Sequence, residues 1–432
     1  MYPPEDAIMV RMQKKSQLSF PKKFLWGVST SAHQVEGGNH NQWSVWEQEN
    51  AKVLATQAEH QYSDLPIWPK IKRLATSPAN YVSGRAVDHY RRYEDDFALI
   101  EKMNMNAFRF SIEWSRIEPE EGAWNAEEIA HYKEYILALK NRGIEPVATL
   151  FHFTLPVWFS ELGGFEKRAN VKYFVRFVEK VMSELGAHLR YVITINEANV
   201  YASESYMQGT WPPQKSSIIT GLRVLGNLAQ AHKKATKSIK QIQARAKVSV
   251  AHNSTYVYAG DDALLSRASA SVAQWYDDRF IKKVAKHCDF LGVNYYFSNR
   301  IYGYRAHNPR AMESDAGWDA APENLEYALV RLWEKYQLPI MITENGIADL
   351  QDEMRKPWLI KTITAMQNAM DTEVKLLGYL HWSLTDNFEW AQGRWPRFGL
   401  AGVDYRTQER ALRPSAQWLA KVIGRIRSND AK

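Results

Sequence analysis

The chain has 432 residues with a hydrophobic share of 45%, enough for a large core, and 55 basic against 48 acidic residues leave a net charge of +7. The basic side chains are interleaved with acids and form no stripe with stacking aromatic residues, which argues against a nucleic-acid partner. No apolar run approaches the roughly 20 residues of a membrane span, so we expect no membrane-embedded segment.

Eight short runs of apolar, β-branched and aromatic residues are predicted as strands. In chain order they cover residues 24–30, 106–114, 145–153, 191–197, 247–253, 290–296, 339–344 and 376–384. Longer helical patterns lie between them, at 88–104, 125–143, 169–186 and 358–370. The first of these begins at Asp88, which we expect to be its N-cap.

Eight strand-then-helix units predict an α/β fold with a single (β/α)8 TIM barrel and long insertions in its βα loops. Segment 38–85 would be such an insertion, after the first strand. A doubly wound sheet is the competing architecture, and it is disfavoured because no G-x-G-x-x-G follows the first strand.

The two ends of the chain and its cysteine content complete the predicted organisation. We expect residues 1–19 to be a flexible extension without the apolar stretch of a signal peptide, 20–426 to be the barrel domain, and 427–432 to be a C-terminal tail. The single cysteine, Cys288, excludes an internal disulfide, which fits a cytoplasmic protein.

Polar residues follow the predicted strands at their carboxyl ends, where the chemistry of such a barrel takes place. The eight ends carry His33 and Gln34, Arg109 and Glu113, His152, Asn196 and Glu197, His252 and Asn253, Asn294 to Tyr296, Glu344 and Asn345, and His381 and Trp382. One such residue usually caps a helix or satisfies a loop. Eight together would converge on one opening, where uncompensated carboxylates are costly to desolvate, and a fold keeps that cost mainly for a function.

The spacing of these residues indicates which kinds of catalytic site the chain can form. H-x-H, H-E-x-x-H and Cys/His clusters are absent and so is G-x-S-x-G, so we expect no metal, no cofactor and no nucleophilic serine. Glu197 and Glu344, at the ends of the fourth and seventh strands, would face each other across the opening. Paired carboxylates flanked by Trp, Asn, Gln and His fit glycoside hydrolysis.

Six motifs carry a family resemblance. They are "FLWGVSTSAHQVEG" (24–37), "FRFSIEWSRIEPEEG" (108–122), "TINEANV" (194–200), "LGVNYY" (291–296), "ITENGIAD" (342–349) and "GYLHWSLTDNFEWAQGRWPRFGLAGVDY" (378–405). Together they resemble glycoside hydrolase family 1, the β-glucosidase family, from about Phe20 to about Ile426. The resemblance implies a retaining, exo-acting β-glycosidase that removes terminal β-D-glucosyl residues, with galactosyl or fucosyl residues as further substrates. Its partner would be a small-molecule or oligosaccharide β-glycoside.

The resemblance also implies roles for individual residues. Glu344 would be the nucleophile, kept ionised by Arg109 and Tyr296, and Glu197 the protonated acid/base, with Asn196 at the 2-hydroxyl. The implied sugar-binding residues are Gln34, His152, Asn294, Trp318, Trp382, Glu389 and Trp390. Among these, Trp382 would lie under the sugar ring, in a Trp-Ser peptide that is cis in relatives, and Trp318 would be the platform for the leaving group. Glu389 would repel a 6-phosphate, which favours a neutral sugar.

The chain departs from the family pattern in three places. Ala198 stands where the family usually has proline, Phe153 stands where it usually has tryptophan, and "SYMQGTWPPQ" (205–214) is a shifted version of the usual loop. Three alternatives share the predicted site: a transglycosylase, a 6-phospho-β-glucosidase and a non-catalytic sugar-binding barrel.

Overall fold

The computed structural model describes residues 19–308 and 312–429, and eight parallel strands form its centre. The strands are β1 (Leu25–Ser29), β2 (Ala107–Ser111), β3 (Glu145–Thr149), β4 (Tyr191–Asn196), β5 (Lys247–Asn253), β6 (Leu291–Asn294), β7 (Ile340–Glu344) and β8 (Leu376–Trp382). Neighbours in sequence are hydrogen-bonded to each other, and β8 pairs with β1 to close the barrel. The predicted (β/α)8 barrel is confirmed. Several strands end before their predicted limits because the chain leaves the sheet there to form the rim.

Helices between the strands cover the outside of the barrel. They are α1 (His89–Lys102), α2 (Ala126–Asn141), α3 (Val171–Leu185), α4 (Ile218–Ile242), α5 (Arg279–Val284), α6 (Leu325–Tyr336), α7 (Arg355–Asp371) and α8 (Pro414–Asn429). The last helix continues past Ile426, where the predicted barrel domain ends, into the predicted tail. Residues 430–432 and all but Ser19 of the predicted N-terminal extension lie outside the described residues.

Shorter elements build the rim. The short α-helices are Ala32–Val35, Trp114–Ile117, Val157–Glu161 and Ala198–Ala202, with a longer one at Leu264–Asp277 and a π-helix at Ser203–Gln208. Turns of 3₁₀-helix lie at Gly164–Glu166, Arg168–Asn170, Gly186–His188, Ala285–His287, Pro322–Asn324 and Trp390–Gln392. Strands Tyr256–Ala259, Ser298–Tyr302 and Arg305–Ala306 form one small sheet, and Ala401–Val403 pairs with Arg410–Leu412.

The insertion predicted at 38–85 is largely helical. It contains α-helices Gln42–Tyr62 and Trp68–Ala75 and a 3₁₀ turn at Pro78–Tyr81, all between β1 and α1. Asn41 starts the long helix with a capping box, because its side chain accepts from the Ser44 amide and the Ser44 side chain accepts from the Asn41 amide. Apolar contacts with the buried Trp395 hold the insertion against the rim.

Local sequence explains how the outer helices begin and pack. Asn125 caps α2 by accepting from two backbone amides, and Ser217 caps α4 in the same way with one. Asp88 is the N-cap residue of α1, as expected, but its side chain forms no capping hydrogen bond. It lies in the left-handed region at φ 54°, and its carboxylate instead accepts from the Arg85 guanidinium at 2.8 Å.

The core has two layers, inside and outside the barrel wall. Inward-facing side chains of the strands fill the barrel with Ala107, Val147, Tyr191, Ile193, Ala251, Phe290, Met341 and Leu380. Outward-facing strand residues and the helices form a second, larger cluster that includes Phe97, Phe108, Leu139, Phe177 and Leu329. Because the interior is packed, the barrel is open to ligands only at its carboxyl end. None of the helices in the described residues is long and apolar enough to cross a membrane.

Candidate active site

A cavity of about 780 Å³ opens at the carboxyl ends of the strands. Many of the residues predicted for the site line it, namely His152, Glu197, Tyr296, Trp318, Glu344, Trp382, Glu389 and Trp390. The remaining predicted residues do not line it, but each hydrogen-bonds to one that does: Gln34 to Glu389, Arg109 to Glu344, Asn196 to His152 and Asn294 to Glu197. The structure therefore brings the predicted set together around one cavity.

Irregular backbone at the end of β7 directs Glu344 into this cavity. The pairing of β7 with β6 shifts register between Ile342 and Glu344, so that Glu344 lies opposite Asn294. The chain then passes close to β8 at Gly346, where an added Cβ would lie 1.9 Å from the Trp382 carbonyl oxygen. The glycine after Asn345 is thus needed for the close approach of the two backbones.

The end of β4 is irregular in a similar way. Its pairing with β5 shifts register between Ile193 and Asn196. Glu197 follows in the left-handed region at φ 39°, and its backbone amide donates to the Ala251 carbonyl at 2.7 Å. Non-glycine residues seldom adopt this conformation, and it is concentrated at functional positions.

Glu344 is held by a cation and a phenol. The Arg109 guanidinium donates to one carboxylate oxygen, and the Tyr296 hydroxyl donates to the other at 2.8 Å. Arg109 is fully buried, and it also donates to Asn196 Oδ1 at 2.7 Å and to Thr149 Oγ1 at 3.0 Å. A charged pair with this many hydrogen bonds fixes the orientation of the carboxylate.

Glu197 is held by amides alone. The side chain of Asn294 donates to Glu197 Oε1 at 2.9 Å, and that of Asn253 donates to the same oxygen at 3.1 Å. Asn294 Nδ2 also lies 3.1 Å from Asn196 Oδ1. Among the described residues, Glu197 forms no ion pair.

Burial and neighbouring charges affect the pKa values of Glu197 and Glu344 differently. Burial, followed by the charge on Glu344, raises the pKa of Glu197 to about 8, and the two amide hydrogen bonds only partly oppose this. Burial raises the pKa of Glu344 as well, but the Arg109 charge and the Tyr296 hydrogen bond pull it down. A proton shared by this pair therefore belongs on Glu197.

Indole, imidazole and amide groups lie close together at one wall of the cavity. The His152 ring lies roughly parallel to Trp382 and to Trp390, with centroids 6.0 and 6.1 Å away, and burial with the Arg109 charge keeps its pKa well below the usual value. Gln34 donates to Glu389 at 3.3 Å. The Trp382–Ser383 peptide bond is cis, as the resemblance implies.

The pKa of Glu389 is unusually high for a carboxyl group. Burial, then the charges of Glu344 and Glu197, raises its pKa to about 8. The shift favours its protonated form, so repulsion of a 6-phosphate by this group is weaker than the sequence suggested. Among the described residues, no lysine or arginine lines the cavity to attract a phosphate.

Other polar residues at strand ends serve the fold. His33 bonds to Glu47 at 2.6 Å and stacks on Trp390, and His381 bonds to Tyr379 at 2.9 Å. Glu113 accepts from the Thr154 and Ser115 hydroxyls at 2.9 and 2.8 Å. None of His33, Glu113 and His381 lines the cavity in the described part of the chain, and these contacts stabilise the rim.

Sequence reasoning missed three contributors to the site. Asn253 was noted as a strand end but not as a partner of Glu197. Trp211, from the shifted loop 205–214, lies 5.0 Å from Phe153 and 5.7 Å from Trp390, so an indole stands beside the position where the family usually has its own. One face of helix Gln42–Tyr62 forms an outer wall. Two of the three departures from the family pattern, Phe153 and the shifted loop 205–214, were together the available signal for Trp211.

Comparison with known proteins identifies the same family that the sequence motifs resemble. The sequence matches the profile of glycosyl hydrolase family 1 over residues 16–286 and 270–427. It is 29% identical over 455 residues to beta-glucosidase A of Thermotoga maritima, covering 94% of this chain and 97% of that protein.

Solved structures agree as well. A beta-glycosidase from Pyrococcus horikoshii superposes with a TM-score of 0.82 at 32% identity, covering 94% of this chain and 95% of that one. A beta-glucosidase from Thermotoga maritima in complex with glucoimidazole gives 0.82 at 26% identity, covering 94% and 99%. With a profile match over nearly its whole length and this barrel, the chain belongs to glycosyl hydrolase family 1 and is a glycoside hydrolase.

Proposed function

We propose that this protein is a retaining, exo-acting β-glucosidase in which Glu344 is the nucleophile and Glu197 the acid/base. One observation carries the proposal: the two carboxyls share a cavity but differ in environment. Glu344 contacts the Arg109 cation and the Tyr296 hydroxyl, whereas Glu197 contacts only amides. A charged attacking group and a protonated leaving-group acid are what a two-step displacement needs.

In the first step, Glu344 attacks the anomeric carbon while Glu197 gives its proton to the glycosidic oxygen. The bond between sugar and leaving group breaks, and an ester between the sugar and Glu344 forms. In the second step, Glu197 takes a proton from a water that attacks the same carbon and breaks the ester. Two inversions at one carbon give net retention.

The residues around Glu344 would position it and the sugar. Arg109 and Tyr296 each donate to one oxygen of the carboxylate, which lines the cavity. Because Asn196 Oδ1 already accepts from Arg109 and Asn294, its Nδ2, which lies 3.2 Å from His152 Nε2 and has a second hydrogen, would be the group that contacts the 2-hydroxyl. Hydrogen bonds at that hydroxyl strengthen in the transition state.

The remaining wall suits a neutral sugar. His152 and Glu389 offer donors and acceptors, Gln34 and Asn294 position Glu389 and Glu197 by hydrogen bonds, and the faces of Trp382 and Trp390 offer apolar surface. A 6-phosphate would be desolvated there without a free cation, because Arg109 is already paired with Glu344. Trp318, against Tyr296 and Phe398, would form the platform for the leaving group.

We also propose that the enzyme acts in the cytoplasm on a small-molecule or oligosaccharide β-glycoside. The sole cysteine, Cys288, is a buried free thiol, as is common in a reducing compartment. Relatives named beta-glucosidase, and one solved with glucoimidazole, support the glucosyl preference.

The test is a nucleophile replacement with chemical rescue. Glu344→Gly should abolish hydrolysis of 4-nitrophenyl β-glucoside, and added azide should restore turnover and yield the α-glucosyl azide, since only one inversion then remains. Azide and substrate without enzyme are the control for unassisted attack, and wild-type enzyme should give no α-glucosyl azide. Unimpaired hydrolysis by Glu344→Gly, or rescue that yields the β-azide, would contradict the assignment.

A panel of aryl glycosides then defines the sugar. We expect the gluco compound to react fastest, galacto and fuco compounds more slowly, and the 6-phosphogluco compound not at all. Product analysis with and without an added acceptor sugar separates hydrolysis from transglycosylation. Glucose binding without turnover of any member would instead favour a sugar-binding barrel.

A further inference from the structure

Helix Leu264–Asp277, which lies between β5 and β6, carries its large apolar side chains on the outside. Of its 14 residues, Ser266 and Ala270 are the buried ones. Helices on a protein surface normally bury their large apolar residues and expose the small and polar ones, so the arrangement here is reversed. Five large apolar side chains are 47–84% exposed, namely Leu264, Leu265, Val272, Trp275 and Tyr276. We call these five, together with the exposed Ala268 between them, the apolar stripe.

The apolar stripe is continuous along the helix. Its members follow one another at intervals of three or four residues, so they share one face over about 21 Å at the helical rise per residue. The Gly303 amide donates to Ser266 Oγ at 2.7 Å, which places the exposed Tyr304 next to the start of the stripe. Single exposed apolar residues are common, but a contiguous patch of this length marks an interaction surface.

Unpaired charges of opposite sign lie at the two ends of the stripe. Asp261 precedes the helix, and its carboxylate accepts from the Ala263 amide at 3.2 Å. Arg279 follows the helix, and its guanidinium lies over the rings of Trp275 and Tyr276, 5.2 and 5.4 Å from their centroids. In the part of the chain that the structure describes, neither Asp261 nor Arg279 forms an ion pair. The stripe therefore has an acidic start and a basic end, both available to a partner.

The order of residues along the stripe fits a second copy of itself running in the opposite direction. When two such helices lie antiparallel with Ala270 at the centre, positions at equal distances on either side of Ala270 face each other. The facing pairs, each formed twice, are Asp261 with Arg279, Leu264 with Tyr276, Leu265 with Trp275, and Ala268 with Val272. Each large side chain then faces an apolar group, and each terminal charge faces one of opposite sign. The small Ala268 near the centre allows the two helices to approach closely.

We propose that the apolar stripe is the contact surface of a homodimer, in which helix Leu264–Asp277 packs antiparallel against the same helix of a second copy. Burial of the stripe removes apolar surface from water in both copies at once. A parallel pair would place Asp261 near Asp261 and Arg279 near Arg279 of the other copy, so the charges select the antiparallel direction. Closed two-fold dimers built from one self-complementary patch are the commonest oligomers. Such a dimer would form whatever reaction the enzyme catalyses.

The dimer leaves each active site complete. None of the stripe residues lines the catalytic cavity in the described part of the chain. One link to the rim is the Tyr276 hydroxyl, which donates at 3.2 Å to Met207 Sδ in the π-helix whose Glu204 lines the cavity. Monomeric variants of the stripe should therefore keep wild-type activity on an aryl glucoside, and this activity serves as a check on their folding.

Sedimentation velocity of the full chain, from nanomolar to high micromolar protein, measures the dimer directly. We expect the wild type to pass from monomer to dimer over this range. Leu265→Ser should raise the dissociation constant at least about 100-fold, because each dimer loses two leucine side chains from its interface. Ile242→Ser is the matched control, because Ile242 is an exposed aliphatic residue at the end of α4, outside the stripe. Its replacement should leave the dissociation constant unchanged.

Exchange of the terminal charges tests the direction of packing. Arg279→Asp or Asp261→Arg alone should each raise the dissociation constant about tenfold, because two attractive pairs become two repulsive ones. An equal mixture of the two variants should recover dimerisation close to that of the wild type, since each mixed dimer contains one original pair and one exchanged pair. Local instability of either variant could not produce such a recovery.

Four results would overturn the proposal. The first three are a wild type that stays monomeric throughout the range, a dimer that Leu265→Ser leaves intact, and a mixture of charge variants that dimerises no better than either alone. The fourth is binding of the monomer, in place of dimerisation, to vesicles of anionic phospholipid, with loss of this binding in Leu265→Ser. The stripe and the exposed Arg267 and Arg305 would then dock on a lipid surface.

Discussion

The hydrogen bond from Tyr296 to Glu344 makes a prediction about the pH profile. The Tyr296 hydroxyl donates to Glu344 Oε2 at 2.8 Å at the partly buried wall of the cavity, and this bond favours the ionised carboxylate. Tyr296→Phe removes the donor and little else. The pKa of Glu344 should therefore rise, because burial continues to disfavour the charged form while one opposing contact is gone.

The size of the effect follows from the strength of such a bond. A hydrogen bond to a charged group contributes about 1.5–3 kcal/mol, and each pKa unit corresponds to about 1.4 kcal/mol. If Glu344 must be ionised to attack, the acid limb of the kcat/KM profile should move to higher pH by about one to two units. The basic limb, which we assign to Glu197 with its pKa of about 8, should move less.

The assay is steady-state hydrolysis of 4-nitrophenyl β-glucoside between pH 4 and 9. Tyr295→Phe is the matched control, because the Tyr295 hydroxyl donates to the Ala321 carbonyl at 2.8 Å and lies at 2.8 Å from the Ser298 hydroxyl, away from both carboxylates. That variant should lose stability without moving either limb. A lower rate for Tyr296→Phe with an unchanged acid limb would refute the electrostatic role of Tyr296.

Two further variants test the acid/base and the backbone of the site. Glu197→Gln should lower turnover of alkyl and oligosaccharide glucosides by about 10²–10⁴-fold and spare formation of the glycosyl-enzyme from 2,4-dinitrophenyl β-glucoside, which needs no proton; equal losses with both leaving groups would contradict the role. Gly346→Ala should lower the free energy of unfolding by about 1–3 kcal/mol, measured by denaturant titration, because its Cβ would meet the Trp382 carbonyl. Gly226→Ala in α4 is the control, since no atom lies within 4 Å of an added Cβ there and stability should increase slightly.

The barrel and the main site residues could be predicted because their signals are local. Each strand is a short apolar run, and each catalytic candidate, such as Glu197 or Glu344, immediately follows one. Closure of the strands into a barrel then brings these ends together without further information. The motif around residues 342–349 added the assignment of roles, which strand counting alone could not supply.

Features that depend on long-range contacts could not be predicted. The face of helix Gln42–Tyr62 turned toward the cavity is partly polar, so hydrophobic periodicity gave no reason to assign a helix that lines a site. Asp88 occupies the predicted N-cap position, but its side chain pairs with Arg85 and does not cap the helix. Trp211 reaches Phe153 from 58 residues further along the chain, a proximity that only the folded rim creates.

In the proposed mechanism, the electrostatic effect of Glu344 on Glu197 also determines when each group acts. Once the sugar is esterified to Glu344, that oxygen carries no charge, and one of the two causes that retain the proton on Glu197 disappears. The affinity of Glu197 for a proton then falls at the stage when an incoming water needs a base, and it recovers when the ester is cleaved. The alternation between acid and base thus requires no moving part, only a fixed arrangement in which covalent chemistry at one group resets the other.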